Sequence, residues 1–226
     1  MSESTYPFEI TGRPDYAYLT VQVPADQMLK VEASAMATMD TNLRMKTRLK
    51  GGFRRMLTRE SLFINEFTAE GGPGQIQIAP GPLGDLDHVH LEEGEEIFLQ
   101  NSAYVASTPQ VDLQTKWQGF MKGFFSGESF FLIRCVGPGD VWFNTYGAMI
   151  RRQVESEYVV DTGHIVAFTP GLEYNIEKFG GYKSLFFSGE GLICRFRGEG
   201  QVWIQTRQVP SFAAWVHPYR RVKSNS

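Results

Sequence analysis

Polar and apolar residues alternate in three glycine-led runs: GQIQIAP from Gly74, GDVWFNT from Gly139 and GQVWIQT from Gly200. A period of two puts neighbouring side chains on opposite faces, so each run is predicted to be a strand opened by a turn. Other segments recur in the same rhythm. VEASAMATMD, LQNSAYVAST and VDTGHIVAFT, beginning at Val31, Leu99 and Val160, align without a gap. MLTRESLFI, FFSGESFFL and FFSGEGLIC place Glu60, Glu128 and Glu190 in register, with Gly51, Gly119 and Gly181 each nine residues earlier.

These matches predict three units of about residues 16–80, 84–145 and 146–208. Each reads as several short antiparallel strands, too few to bury a core alone, so the units are expected to share one domain. The expected fold class is all-β, with three repeated units in one pseudo-threefold domain over residues 6–215. The basic tail, residues 216–226, has no apolar periodicity and is expected to be flexible. Composition agrees: 17 Phe, 9 Tyr and 4 Trp favour pleated surfaces, while 23 Gly and 11 Pro punctuate them. A glutamate recurring in the same Ser/Thr-x-Glu turn reads as a turn acceptor for backbone N–H groups, because an active site normally gathers different residue types.

Against that frame of repeats, chemistry is sparse. His88 and His90 form a His-x-His pair with Glu95 downstream, a spacing used by small β-barrels that hold a metal. Extending the register back from Val31, Leu99 and Val160 aligns Thr20, His88 and Met149, with an aliphatic residue following each. That residue is expected to face the core, which turns His88 and His90 away from it. A downstream histidine motif is missing, since His164 aligns with Ala35 and Ala103 and His217 lies in the tail. No metal or other cofactor is therefore expected, and His88 and His90 remain the candidates if one binds. There is no phosphate loop, Gly-x-Ser-x-Gly elbow, Cys-x-x-Cys or His-Glu-x-x-His. Cys135 and Cys194 sit in the apolar runs FFLIRCV and GLICRF, where free cysteine behaves as a small buried hydrophobe. Trp142 and Trp203 occupy matching strand positions and are expected to pack. A formal net charge of −3 argues against bulk attraction to nucleic acid. The opening MSESTYPFEI has no signal-peptide pattern and no run is apolar enough to span a bilayer, so a cytoplasmic protein is expected.

Several of these motifs also stand in a familiar order. YLTVQV, GGPGQIQIAP, VDTGHIVAFTP, GGYKSLFFSGEGLICRFRGEGQVWIQTR and SFAAW resemble the family of the mitochondrial altered-inheritance protein and its bacterial relatives, over about residues 7–215. The resemblance implies a fold like that of the tryptophan RNA-binding attenuation protein, a sandwich akin to a short double-stranded β-helix. It also implies assembly into a ring-like homotrimer and names no catalytic residues.

Charge distribution adds one candidate contact. Arg44, Lys46 and Arg48 alternate with Met45, Thr47 and Leu49, predicting a strand with one basic face. The matching stretch of the third unit, LEYNIEKF, carries Glu173 and Glu177. If units meet head to tail, these faces would set the register of a subunit contact. The function expected is a non-enzymatic, homo-oligomeric scaffold or binding module, its partner protein unnamed. The alternatives are a cupin-like metal-dependent enzyme using His88 and His90, and an RNA-binding protein by analogy of fold alone.

Overall fold

The structure is a computed structural model that describes residues 4–50, 62–117, 131–178 and 192–220. The recurrent glutamates Glu60, Glu128 and Glu190, and the glycines Gly51, Gly119 and Gly181, lie outside the described residues.

Nineteen strands are described. The first stretch carries β1 (Phe8–Thr11), β2 (Tyr18–Val23), β3 (Met28–Glu32), β4 (Met36–Met39), β5 (Leu43–Lys50), β6 (Leu62–Ala69) and β7 (Gly74–Ile78). Next come β8 (Leu86–Leu91), β9 (Glu96–Gln100), β10 (Tyr104–Ser107), β11 (Asp112–Trp117), β12 (Phe131–Val136) and β13 (Gly139–Asn144). The last are β14 (Met149–Val154), β15 (Glu157–Asp161), β16 (Ile165–Phe168), β17 (Leu172–Lys178), β18 (Leu192–Gly198) and β19 (Gly200–Gln205), followed by helix α1 (Val209–Val216). The protein is thus mostly β, as composition and alternation predict.

All strand pairs are antiparallel, in four sheets ordered β1-β2-β7-β4, β5-β6-β3-β10-β13-β8, β11-β12-β9-β16-β19-β14 and β15-β18-β17. Three apolar cores lie between successive sheets. The first takes Leu19, Val21 and Ile76 from the first sheet and Val31, Phe67 and Trp142 from the second. The second joins Val141 and Phe143 to Ile133, Val166 and Trp203, and the third joins Val202 and Phe168 to Cys194 and Phe196. Cys135 and Cys194 are free and buried, in the second and third cores.

This layering explains where alternation holds and where it fails. β2 and β7 cover one core only, so Leu19, Val21, Val23, Ile76 and Ile78 are fully buried while their neighbours are half-exposed. β13 is covered on both faces, with Trp142 in the first core and Val141 and Phe143 in the second, so all six of its residues are buried. Such a strand loses its polar face.

The two long sheets are each continuous through one short junction. β3 meets β10 at Ala106–Val31 and Ser107–Lys30, and β9 meets β16 at Ala167–Leu99 and Phe168–Phe98. Side chains reinforce both. Lys30 Nζ donates to the carbonyls of Pro109 (2.7 Å) and Val111 (2.8 Å), and Phe98 stacks on Phe168 with ring centroids 5.1 Å apart.

Gly84 sits where the chain enters β8, bridged to Gly147. A Cβ there would lie 2.2 Å from the Thr145 carbonyl oxygen and 2.5 Å from that of Gly147, both main-chain atoms that cannot swing aside. Gly84→Ala is expected to lower unfolding stability in urea by about 2–3 kcal/mol, the scale of an overpacked site. Gly81→Ala, whose Cβ would meet nothing within 4 Å, should leave the midpoint within experimental error.

Candidate functional site

The histidine pair stands on β8, hydrogen-bonded along β13 with His88 opposite Trp142 and His90 opposite Asp140. Cross-strand partners share a face, so both rings point to the side that carries Trp142 into the first core. His88 and His90 side chains are only 17% and 15% exposed, and the Asp140 carboxylate is fully buried. The expectation that the rings face away from the core is corrected here. An N-terminal segment covers them: the Phe8 ring lies 4.5 Å from that of His88, and the Thr5 N–H donates to Asp140 Oδ2 at 2.7 Å.

The slip behind that expectation is visible in the turns. Four residues separate β2 from β3 and β8 from β9, but only Glu155 and Ser156 separate β14 from β15. A gapless alignment from Val160 therefore errs by two positions. Across the glycine-led strands Thr20 opposes Gln77, His88 opposes Trp142 and Arg151 opposes Trp203, so Arg151 and not Met149 takes the position matching His88.

His88 Nε2 and His90 Nδ1 each lie 2.9 Å from Asp140 Oδ1. An ionised carboxylate only accepts, so each ring donates its N–H there. Burial alone would raise the Asp140 pKa, but the N–H groups of His88, His90 and Thr5 outweigh it and hold the carboxyl well below the usual range. In a neutral ring the other nitrogen, Nδ1 of His88 or Nε2 of His90, then carries the lone pair, but among the described residues no cluster of three or more His, Cys, Asp or Glu is arranged to hold a metal ion. His164 Nδ1 lies 2.6 Å from the Gln205 carbonyl oxygen, and Glu95 accepts from the Glu92 N–H. Neither joins the pair.

The opposite face of β8 carries a second polar group. Trp203 Nε1 donates to Asp87 Oδ2 at 3.0 Å, Arg151 pairs with the same carboxylate, and the Arg151 guanidinium lies 5.3 Å from the Trp203 ring centroid. Beside it opens a cleft of about 480 Å³ whose walls include His90, Glu95, Arg151 and Gln201. Asp140 and Asp87 were not among the residues singled out from sequence. The available signal was the aspartate of GDVWFN, which stands where GQIQI and GQVWIQ have Gln75 and Gln201.

The two charged strands are predicted correctly as strands, β5 and β17, each at a sheet edge. Arg44 and Lys46 are exposed, and Met45 between them is 52% exposed, so among its described side chains β5 reaches the first core only at its first residue, Leu43. Arg44 Nε donates to Glu70 at 3.1 Å and Lys46 stands opposite Glu66 on β6; the side chain of Arg48 lies outside the described residues. Glu177 accepts from Arg195 Nε at 2.8 Å and Glu173 stands opposite Arg197 on β18. Each strand thus faces counter-charges on its own hairpin neighbour.

One further carboxyl is perturbed in the opposite sense. Burial pushes Glu32, at the end of β3, up to about 7. Being raised in the fold, this group contributes stability present below about pH 4.5 and lost as pH rises to about 7. Glu32→Gln should remove that slope and leave the variant more stable at pH 8 by up to about 3 kcal/mol in chemical denaturation. Asp140 is lowered, so its contribution is present above its unfolded value near 3.8 and lost below it. Asp140→Asn should cost about 2–3 kcal/mol at pH 7, because three donors then face one poorer acceptor.

Comparisons with known proteins accord with this architecture. A Streptococcus pyogenes protein solved by X-ray crystallography superposes with a TM-score of 0.81 at 22% identity, covering 95% of this chain and 100% of its own, which shows a common fold. An uncharacterized protein of Streptococcus pyogenes serotype M6 is 29% identical over 175 residues, 76% of this chain and 69% of that relative. No helix among the described residues is long and apolar enough to cross a membrane. The model of the family described as mitochondrial biogenesis AIM24 matches residues 8–207, and the chain belongs to that family.

Proposed function

We propose that the protein is a non-enzymatic scaffold or binding module whose chain is three successive β units, and whose copies join head to tail into a homo-oligomer. The observation that carries this reading is the order of strand pairing. β3-β6-β5 continues into β10-β13-β8, and β9-β12-β11 continues into β16-β19-β14. By the same rule β15-β18-β17 should continue into β4-β7-β2. Within one chain it does not, and β15 and β4 are left as open edges of their sheets.

The side chains at those edges fit the same reading. Lys30, Phe98 and Val159 are each the third residue of their strands, and Ser107, Phe168 and Met39 each the fourth. Lys30 opposes Ser107 and Phe98 opposes Phe168; Phe98 is half-buried and the other three are buried. Val159 and Met39 are each 40% exposed. An apolar residue on an open strand edge invites another chain, and a contact between unlike surfaces generates a ring when its rotation closes. Three copies in a ring like that of the attenuation protein is the number and form the family resemblance suggests. The face-to-face attraction of β5 and β17 is the weaker contact, since Arg44 and Glu177 already have partners on their own hairpins.

Sedimentation velocity at micromolar concentration tests this. The unmodified chain should sediment as an oligomer. Met39→Lys and Val159→Lys should each dissociate it while leaving monomer stability nearly unchanged, and Met39→Lys combined with Val159→Glu should restore assembly. A monomeric unmodified chain, or assembly indifferent to both edge lysines, would overturn the proposal.

A further inference from the structure

Helix α1 has no buried residue. Phe212 is 50% exposed, Trp215 65% and Tyr219, in the turn that follows, 77%. Its attachments are slight: the Phe212 ring lies 6.1 Å from that of Tyr146, and Gln208, at its N-cap, donates to Asp161 Oδ1 at 2.9 Å. Between the helix and the sheet runs a groove of about 630 Å³, walled by Tyr146, Asp161, His164, Phe212 and Trp215. An eight-residue helix is not stable on propensity alone, and one this apolar around its circumference requires cover.

We infer that α1 is a clasp covered by a second copy of this chain, lying across the contact between β15 of one copy and β4 of the next. This rests on the head-to-tail assembly proposed above and names a second surface for it. Three observations select a second copy as the occupant. The helix is tied to Asp161, the last residue of the open strand β15, so a copy seated on that edge arrives beside it. Its position in the chain is that of a link: after β7 and β13 the chain runs on into β8 and β14, whereas after β19 it runs into α1. Those links are tied to one another in succession, Gly147 N–H to the Leu83 carbonyl and Arg207 N–H to that of Tyr146, so the helix starts where a following unit would begin.

The third observation is area. Stable interfaces bury about 800 Å² on each partner, more than a strand edge of four or five residues supplies. Buried aromatic side chains contribute about 150–250 Å² each, so Phe212, Trp215 and Tyr219 bring the contact to that scale. Of the ten large hydrophobics exposed among the described residues, seven lie on β4, β15, α1 and the turn after it.

The test places a photoreactive benzophenone amino acid at position 215 of the full chain and irradiates the assembled protein. Crosslinks are expected between copies, to a peptide containing residues 12–40. Phe212→Ser with Trp215→Ser should raise the dissociation constant at least 100-fold without changing the circular dichroism of the monomer. If the serine variant assembles as tightly as the unmodified chain while Val159→Lys dissociates, the clasp is overturned and the edge contact stands. If neither variant changes the mass, both are overturned. If the serine variant keeps its mass but loses binding to phosphatidylglycerol vesicles that the unmodified chain binds, the helix serves a lipid surface and the inference fails.

Discussion

An open strand edge presents backbone N–H and C=O groups that must find partners, and most of this architecture is an answer to that requirement. Two six-stranded sheets exist only because β3 accepts β10 and β9 accepts β16 along a few residues each. Those short junctions carry more than their length suggests. They place β13 and β16 between two cores, so that Val141 and Trp142 serve different cores from adjacent positions. A break there would open a sheet and uncover two cores at once, and each junction has its own reinforcement. Lys30 is nearly buried and spends its charge on two carbonyls, while Phe98 and Phe168 use apolar stacking for the same purpose. Equivalent tasks are met by unlike chemistry.

The N-terminal segment depends on a different balance. The Asp140 carboxylate is out of water, where an unpaired charge costs far more than any single hydrogen bond returns. Three N–H donors reverse that sign, and one of them belongs to Thr5, 135 residues away in sequence. The segment carrying Tyr6 and Phe8 is therefore held by a polar anchor as well as by its apolar side chains, Tyr6 in the first core and Phe8 against it. Glu32 shows the counterexample. Burial governs its titration and no comparable set of donors offsets it, so it shifts upward where Asp140 shifts downward.

The β class, the glycine-led strands and the strands around Val31, Leu99 and Val160 were legible because each follows from local alternation and turn chemistry. What sequence did not reveal was long-range. The face of His88 and His90 was misread because alternation identifies two faces of a strand but not whether both are covered, and here Phe8 covers the second. The register of β14 was misread because a two-residue shortening of one turn leaves no trace in composition. In YVAS and GDVWFN the polar face disappears through burial on both sides, so periodicity had little to report. Asp140 became significant only once the β8–β13 register set it against His90.

The stretch SFAAWV reads locally as a helix face, yet its apolar side chains find no core within the chain. Local pattern and tertiary burial disagree here, in contrast to β2, where the same comparison agrees at every position. A sequence that leaves Trp142 at 0% and Trp203 at 3% exposure has no internal reason to leave Trp215 at 65%. The surplus is localised: Met39 and Val159 mark two open edges, and α1 begins from the end of one of them. Exposed apolar residues scattered over a surface need no explanation, but seven of ten gathered on two open strand edges and at an unsupported helix do. The pairing of strand edges that completes the two long sheets within the chain is the one that β4 and β15 do not make within it.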